Sequence, residues 1–380
     1  MSHPCLIIVL RKQRGEKLAS RTGTADLPLH YGNAPAWLFS RMRLLAREVM
    51  LFISSEKGPD ELLERLCDPF WFQAFGCALG FDWHSSGLTT TVCGAMKEAS
   101  RGIEDYLGLY IAGGKGAVSR KTPSEIEAHS ERLGVDAGPL VYASRMSAKV
   151  DSGAVQDEYR IYHHTFLFTP DGKWAVVQQG MHPDNGMARR YHWLGSRVDD
   201  FVCEPHTAVC CDSKGETLNM VAAESADARE VTAGLSRERP ELVVADVEKM
   251  QSLELPRRHE MLSSDVNPGR LKGILLSTYE NQPAGFEQLL ALRGVGPKTI
   301  RSLALLSELV YGTPASTRDP ARFSFAHGGK DGIPYPVDRK TYDESIEFLN
   351  KALSAAKVGR NEKVEAFRRL NRLASQPPGS

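Results

Sequence analysis

The chain has 380 residues, 42% hydrophobic and 25% charged, with 47 basic side chains balanced by 47 acidic ones. This is the composition of a globular protein with room for two or three domains. Zero net charge argues against polyanion binding over the whole surface, and no apolar run approaches the roughly 20 residues that cross a bilayer, so no membrane partner is expected.

Residues 1–20 read as a flexible leader, with Arg11-Lys12-Gln13-Arg14 and no amphipathic period. The apolar run Cys5–Leu10 is too short for a signal peptide and its basic residues follow it. A cytoplasmic chain is therefore expected, with its seven cysteines reduced or bound to metal. A mixed domain is expected over 21–235. Trp37, Leu38, Met42, Leu45, Val49 and Leu51 recur at helical spacing, and Asp68-Pro69 opens a helix carrying Phe70, Trp71, Phe72 and Phe75, most simply a core cluster. Trp83-His84-Ser85-Ser86 is a polar break before the next helix. A serine there caps the helix, or the Trp, His and hydroxyls receive a phosphate or an extruded base. Tyr106–Ala112 reads as a strand and Gly113-Gly114-Lys115-Gly116 as a flexible turn. The turn is not a P-loop, since the spaced glycine and the hydroxyl after the lysine are missing.

Two strands, Tyr159–Phe168 and Trp174–Gln179, flank Thr169-Pro170-Asp171-Gly172-Lys173, a strong hairpin signal. His163, His164, His182, Asp184, Arg189, Arg190 and His192 fall in or just after this hairpin. They make a candidate second site: metal ligands, phosphate clamp or base reader, against a plain polar outer face. Strand alternation allows at most one of His163 and His164 to share a face with Arg160. Cys203, His206, Cys210 and Cys211 contain zinc-type ligands, but vicinal Cys210 and Cys211 in a strand point apart, so buried thiols are the simpler reading and no metal is assigned. Leu218–Glu230 and Pro240–Leu253 look helical, and Ser236–Pro240 marks a linker region over 236–268.

The last part, 269–375, reads as an all-helical domain. Its centre is Leu290–Leu306, where an apolar helical pattern breaks at Gly294-Val295-Gly296-Pro297 and restarts at Lys298. The glycines permit a tight turn, and Pro297 suits the first position of a helix whose free N–H groups can hold a phosphate. Between Lys351 and Arg372, seven basic residues (Lys351, Lys357, Arg360, Lys363, Arg368, Arg369, Arg372) face only Glu362 and Glu365. That makes a second basic surface for phosphates, or a solvated helix face.

The Gly294–Lys298 run resembles the helix-hairpin-helix motif of DNA-binding proteins position by position. Pro334-Tyr335-Pro336-Val337-Asp338 resembles the element that follows the hairpin in the helix-hairpin-helix base-excision DNA glycosylases. The resemblance covers the last third of the chain. It implies Lys298 as the amine that attacks C1′, Asp338 as the assisting carboxylate, and DNA contacts through Arg293, Gly294, Val295, Gly296, Thr299 and Arg301. Trp83, His84 and Ser85 or the His/Arg hairpin would then read the base. Three departures stand out: a long segment between hairpin and Val337, Arg339-Lys340-Thr341 after the aspartate, and no cysteine beyond Cys211 to hold an iron–sulfur cluster. Through Arg21–His30, Trp83–Gly87 and Phe201–His206 the chain also resembles an uncharacterised family, the domain of unknown function numbered 763, which supplies no chemistry.

The expectation is an α+β protein, with a mixed N-terminal domain built on an antiparallel hairpin and a C-terminal helix-hairpin-helix domain. It would act in the cytoplasm on nucleoid DNA, excising damaged bases from damaged or structured duplex without a cofactor and nicking by β-elimination. A lysine at its reference pKa of about 10.4 is inert, so a nucleophilic one must be deprotonated by burial or positive neighbours. The alternatives are a metal-dependent nuclease built on the hairpin His/Asp cluster and a non-catalytic DNA-binding protein.

Overall fold

A computed structural model describes residues 36–81, 87–211, 214–251, 268–322 and 339–374. Asp338, Trp83, His84 and Ser85 lie outside them, as does the leader. The chain opens with α1 (Ala36–Lys57), α2 (Pro59–Cys67), α3 (Pro69–Leu79), α4 (Gly87–Ser100) and the single turn α5 (Glu104–Leu107). Then come β1 (Tyr110–Lys115), α6 (Thr122–Leu133), α7 (Gly138–Lys149), a π-helical turn Val150–Ala154, β2 (Val155–Gln156), β3 (Arg160–Phe168), β4 (Trp174–Met181), β5 (Ala188–Leu194), β6 (Ala208–Cys210) and β7 (Leu218–Asn219). The remaining helices are α8 (Ala226–Leu235), α9 (Pro240–Gln251), α10 (Pro268–Asn281), α11 (Phe286–Ala291), α12 (Pro297–Tyr311), α13 (Arg339–Ala355) and α14 (Arg360–Ala374). The architecture is α+β, and no helix among the described residues is long and apolar enough to cross a membrane.

The frame is one antiparallel sheet in the order β1-β3-β4-β5-β6. Thr169–Lys173 turns β3 into β4 as its composition requires: Phe168 pairs with Trp174, and Gly172 takes the positive φ of +84° that the turn needs. Alternate residues divide between two cores. Ile111, Leu167, Ala175, Val177 and Leu194 join Met42, Trp71, Phe72 and Phe75 on one face. Tyr110, Phe166, Phe168, Val176, Tyr191 and Trp193 join Met146, Leu289, Ile300 and Leu303 on the other. Helices therefore cover both faces. Every residue of β5 is buried, including Arg189, Arg190 and His192.

Local sequence explains the helices of the first layer. In α3, Asp68 accepts from the N–H groups of Phe70 (2.8 Å) and Trp71 (3.1 Å), Pro69 starts the helix, and Gly80 ends it at φ +129°. All 11 of its residues are buried, as an apolar surface on every side demands. Phe70, Trp71, Phe72 and Phe75 are core.

Several expectations are corrected. Gly113-Gly114-Lys115 is not a turn but the end of β1, paired with Thr165, His164 and His163. Only glycine fits at 113: φ is +88°, and a Cβ would stand 2.3 Å from the His164 carbonyl oxygen. Tyr106 ends in a helical turn closed by Gly108 at φ +63°, so β1 starts at Tyr110. Leu218–Glu230 is not one helix. Leu218 and Asn219 pair with Gln156 and Val155, because the Asn219 side chain bonds the Arg318 carbonyl and the Val221 N–H, and α8 begins only at Ala226.

Of the expected linker region 236–268, residues 252–267 lie outside the described residues, and the described part is packed. Ser236 is fully buried and accepts a hydrogen bond from Thr278 (2.8 Å), and α9 packs on α10. The segment 269–375 is not one unit either. Helices α11 and α12 pack on α7, α8 and the π turn, whereas α13 and α14 pack on α1 and α3 across the sheet. The basic stretch of α13–α14 therefore does not extend the hairpin surface. Its Lys351 and Arg368 pair with Glu347 and Glu365, and Arg369 bonds the Ala78 carbonyl. The ends of the chain's described part meet in one layer because their apolar faces have no other cover.

Burial sets the charge state of the strand histidines. His163 is pushed down to about 3 by burial, with His164 and Lys115 adding to it; burial also lowers His164, and lowers His192 strongly. The hydrogen bonds agree for His192, whose Nε2 accepts from Arg190 Nε (2.8 Å) while Nδ1 donates to the Leu66 carbonyl (2.9 Å). These imidazoles stay neutral in the fold but bind protons once unfolded, so their stability contribution is complete above about pH 6.5 and is lost as pH falls toward the folded values. Each contributes a slope of up to about 1.4 kcal/mol per pH unit. Urea denaturation should show stability falling steeply between about pH 6.5 and 5; a flat profile there would contradict neutral burial.

Candidate functional site

The break in the helical pattern is built as expected from the residues: α11, the turn Leu292–Gly296, and α12 with Gly296 as N-cap. Only one glycine is conformationally required. Gly294 sits at φ +90°, whereas Gly296 is extended at φ −144° with nothing within 4 Å of an added Cβ. Arg293, Gly294 and Lys298 are exposed and Arg301 is half-buried. Val295 (5% exposed) and Thr299 (4%) turn into the core, so of these two only the backbone can meet a ligand.

What seats the turn was not legible beforehand. Lys149, the last residue of α7, donates from Nζ to the carbonyls of Leu290 (2.5 Å), Leu292 (2.6 Å) and Val295 (3.5 Å). These carbonyls converge because the turn leaves them without helical partners, and one ammonium satisfies all three. Burial lowers the Lys149 pKa. Gln156 adds a second clasp, donating to the Pro297 carbonyl (2.8 Å) and accepting from Arg301 Nε (2.7 Å). Tyr142 donates to Glu287 (2.5 Å) and ties α7 to α11. The hairpin is thus bolted to the π turn and β2, not hung from a linker.

Against this seat lies a cavity of about 370 Å³ lined by Gln156, Glu158, Arg160, Asp184, Lys298 and Arg301 among others. Glu158 holds an uncommon positive φ of +68° for a residue with a side chain, and its carboxylate meets His182 Nε2 at 2.8 Å. The Asp184 N–H donates to His182 Nδ1 (3.3 Å). Two groups that lie far apart in sequence therefore share one rim: Lys298 and Arg301 from the hairpin helix, Asp184 and (through Glu158) His182 from the end of β4.

The other candidates do not converge there. His163 and His164 are 0% and 4% exposed, on opposite faces of β3, and a register shift between Ile161 and His163 breaks the alternation from Arg160. Arg189 and Arg190 likewise face opposite layers. Arg189 clamps Asp157 (2.8 Å) and Asp319 (2.7 Å) and lies over the Tyr159 ring, while Arg190 bonds Gln73 (3.0 Å) and His192. Burial opposes charge on Arg189, but Asp157 leads the groups that hold it protonated well above the ordinary range. These side chains hold the sheet together; a base cannot reach them.

The sequence reading missed Asp151. It sits in the π turn, is completely buried, and accepts from Trp193 Nε1 (3.0 Å), Gln178 Nε2 (2.5 Å) and His206 Nε2 (2.5 Å). Gln178 also accepts from His164, whose other nitrogen meets Ser144 Oγ (2.9 Å). His206 lines a second cavity of about 290 Å³ with Glu204, Arg318 and Arg322. Orienting an imidazole by a buried carboxylate is an arrangement suited to proton transfer. The only sequence signal was a lone acid two residues after Lys149. His206 is thus held by Asp151, and Cys211 by Tyr159 (3.1 Å). Among the described residues no three His, Cys, Asp or Glu side chains are grouped as a metal site.

Replacing Lys149 by Met strands three carbonyls and removes charge-assisted bonds worth about 1.5–3 kcal/mol. Lys149→Met should lower the unfolding free energy by about 2 kcal/mol and speed amide exchange through 293–299. Wild-type exchange in that turn would show that Lys149 does not seat it.

Neither the curated proteins nor the solved structures contain a match to the chain. A family model, described as a protein of unknown function (DUF763), matches residues 23–337, most of the length. The chain belongs to the DUF763 family.

Proposed function

We propose that this protein is a DNA-acting enzyme of the helix-hairpin-helix glycosylase type, with Lys298 as its reacting amine. The observation that carries the reading is the shared cavity. Lys298 and Arg301, on the first turns of α12, line it together with Arg160, Glu158 and Asp184. An amine, cations for phosphates and carboxylates for protons thus surround one space at a helix N-terminus.

In the proposed reaction a base is flipped out of the duplex and Lys298, after giving a proton to a carboxylate, attacks C1′ through its nitrogen lone pair. The C1′–N bond to the base breaks, the base leaving with its bonding pair and taking a proton from water. As the sugar ring opens to a Schiff base its ring oxygen takes the proton that the amine gives up, and a carboxylate then removes a C2′ proton as the 3′ oxygen leaves with its phosphate. Asp338, by its place after Val337, is assigned the proton released from the amine. Glu158 and Asp184 are the carboxylates already beside Lys298 in that cavity. Of the residues of the nuclease alternative, His163 and His164 lie buried on opposite faces, while His182 and Asp184 stand with Glu158 at the rim of the same cavity. Such an enzyme would act on DNA in the cytoplasm.

Borohydride trapping on a panel of damaged oligonucleotides tests this directly. Wild-type protein should leave a covalent adduct, with or without EDTA, and Lys298→Gln should abolish it while oligonucleotide binding changes less than about threefold, as loss of one phosphate contact allows. Binding without any adduct across the panel would leave a non-catalytic DNA clamp.

A further inference from the structure

A strongly basic hollow lies elsewhere, at the β1 edge of the sheet. It is open, about 670 Å³, and is lined by Arg43 and Phe39 of α1, Lys97 and Arg101 of α4, Lys115 of β1 and Lys121 at the start of α6. Its two carboxylates are spent internally. Glu125 accepts from Lys97 (2.6 Å) and from the Gly113 N–H (2.7 Å), and Glu98 accepts from Arg101 (2.8 Å). Arg43, Lys115 and Lys121 are exposed and make no ion pair among the described residues. Three positive charges with no carboxylate partner among the described residues therefore ring one hollow, Lys115 lying 6.0 Å from the centre of the Tyr162 ring.

Its floor is unusual. Gly113 and Gly114, at φ +88° and +146°, line it with bare backbone beside buried Thr165 and Cys93. His163, opposite Lys115 in the register, lies on the same sheet face as Thr165 and accepts or donates through Nε2 at 2.9 Å. Its Nδ1 is completely buried and has no hydrogen-bond partner among the described residues.

We propose that this hollow is a phosphoryl-binding site, and that the ligand is the sugar-phosphate backbone of a nucleic-acid strand. The phosphoryl chemistry stands on the basic lining of the hollow alone; the strand rests on the DNA reading above. Strand β3 links the two places. Arg160 lines the Lys298 cavity and His163 adjoins the hollow three residues later, roughly 10 Å along a strand. The two cavities belong to opposite layers of the sheet, so a bound strand would pass round this end of it.

Fluorescence anisotropy with labelled single- and double-stranded oligonucleotides, between about 50 and 200 mM salt, reads this out. It compares wild type, Lys298→Gln and the triple variant Arg43→Gln, Lys115→Gln, Lys121→Gln. The triple variant should bind at least about tenfold more weakly and flatten the slope of log affinity against log salt by about 2–3. Lys298→Gln should keep most of the wild-type slope. All three replaced side chains are exposed, so the urea midpoint should hold. Inorganic pyrophosphate and ATP are titrated in parallel. If only these bind, and the triple variant loses them, the phosphoryl site stands and the DNA reading falls. Wild-type affinity and slope in the triple variant, or no binding of any probe to wild type, overturns the proposal.

Discussion

An antiparallel sheet covered on both faces has little surface that water can reach, and the rest of this molecule answers to that constraint. Each buried polar residue in β3, β4 and β5 must find a partner inside the protein or carry the full penalty of desolvation. The chain meets this with separate networks on the two faces. Asp151, Gln178, His164 and Ser144 form one line, and Arg189 joins Asp157, Tyr191 and Asp319 beside it. Across the sheet Arg190, His192 and Gln73 form another. The density of His and Arg in the sequence is the mark of this double burial as much as of chemistry.

The same constraint fixes the hairpin. Helix α7 delivers Lys149, the π turn follows without a break, and β2 delivers Gln156, so a single continuous segment holds the turn from below. The extra residue of a π turn shifts the register of side chains that an α-helix would present. Here it lets one segment send Lys149 to the hairpin and Asp151 to the sheet. The two cavities on this layer, one with Lys298 and one with His206, are therefore mechanically connected through residues 149–157.

Some of this was legible from the residues. The Thr169–Lys173 turn, the aromatic helix after Asp68 and the Gly294–Pro297 break all follow from local chemistry: a positive φ, an N-cap, a proline at a first helical position. The α+β class followed too, and family membership was visible in three short stretches. What could not be read was anything set by the second face of the sheet. His163 and His164 looked like an exposed site because a strand rich in polar residues ordinarily shows one face to water, and here neither face does. Gly113 and Gly114 read as a loop, although the close approach of β3 requires glycine within the strand. Lys149 looked like one cation on a helix side, since nothing local announces that three carbonyls from a turn 141 to 146 residues away will meet it.

The placement of α13 and α14 against α1 and α3 has a consequence for how the chain is made. As the ribosome extends the polypeptide, the layer with the hairpin can assemble from residues already emerged. The opposite layer keeps Trp71, Phe75 and their neighbours without their last cover until Leu349, Leu353 and Leu370 appear. A sticky apolar surface thus persists through most of synthesis, making the nascent chain a natural client for holding chaperones.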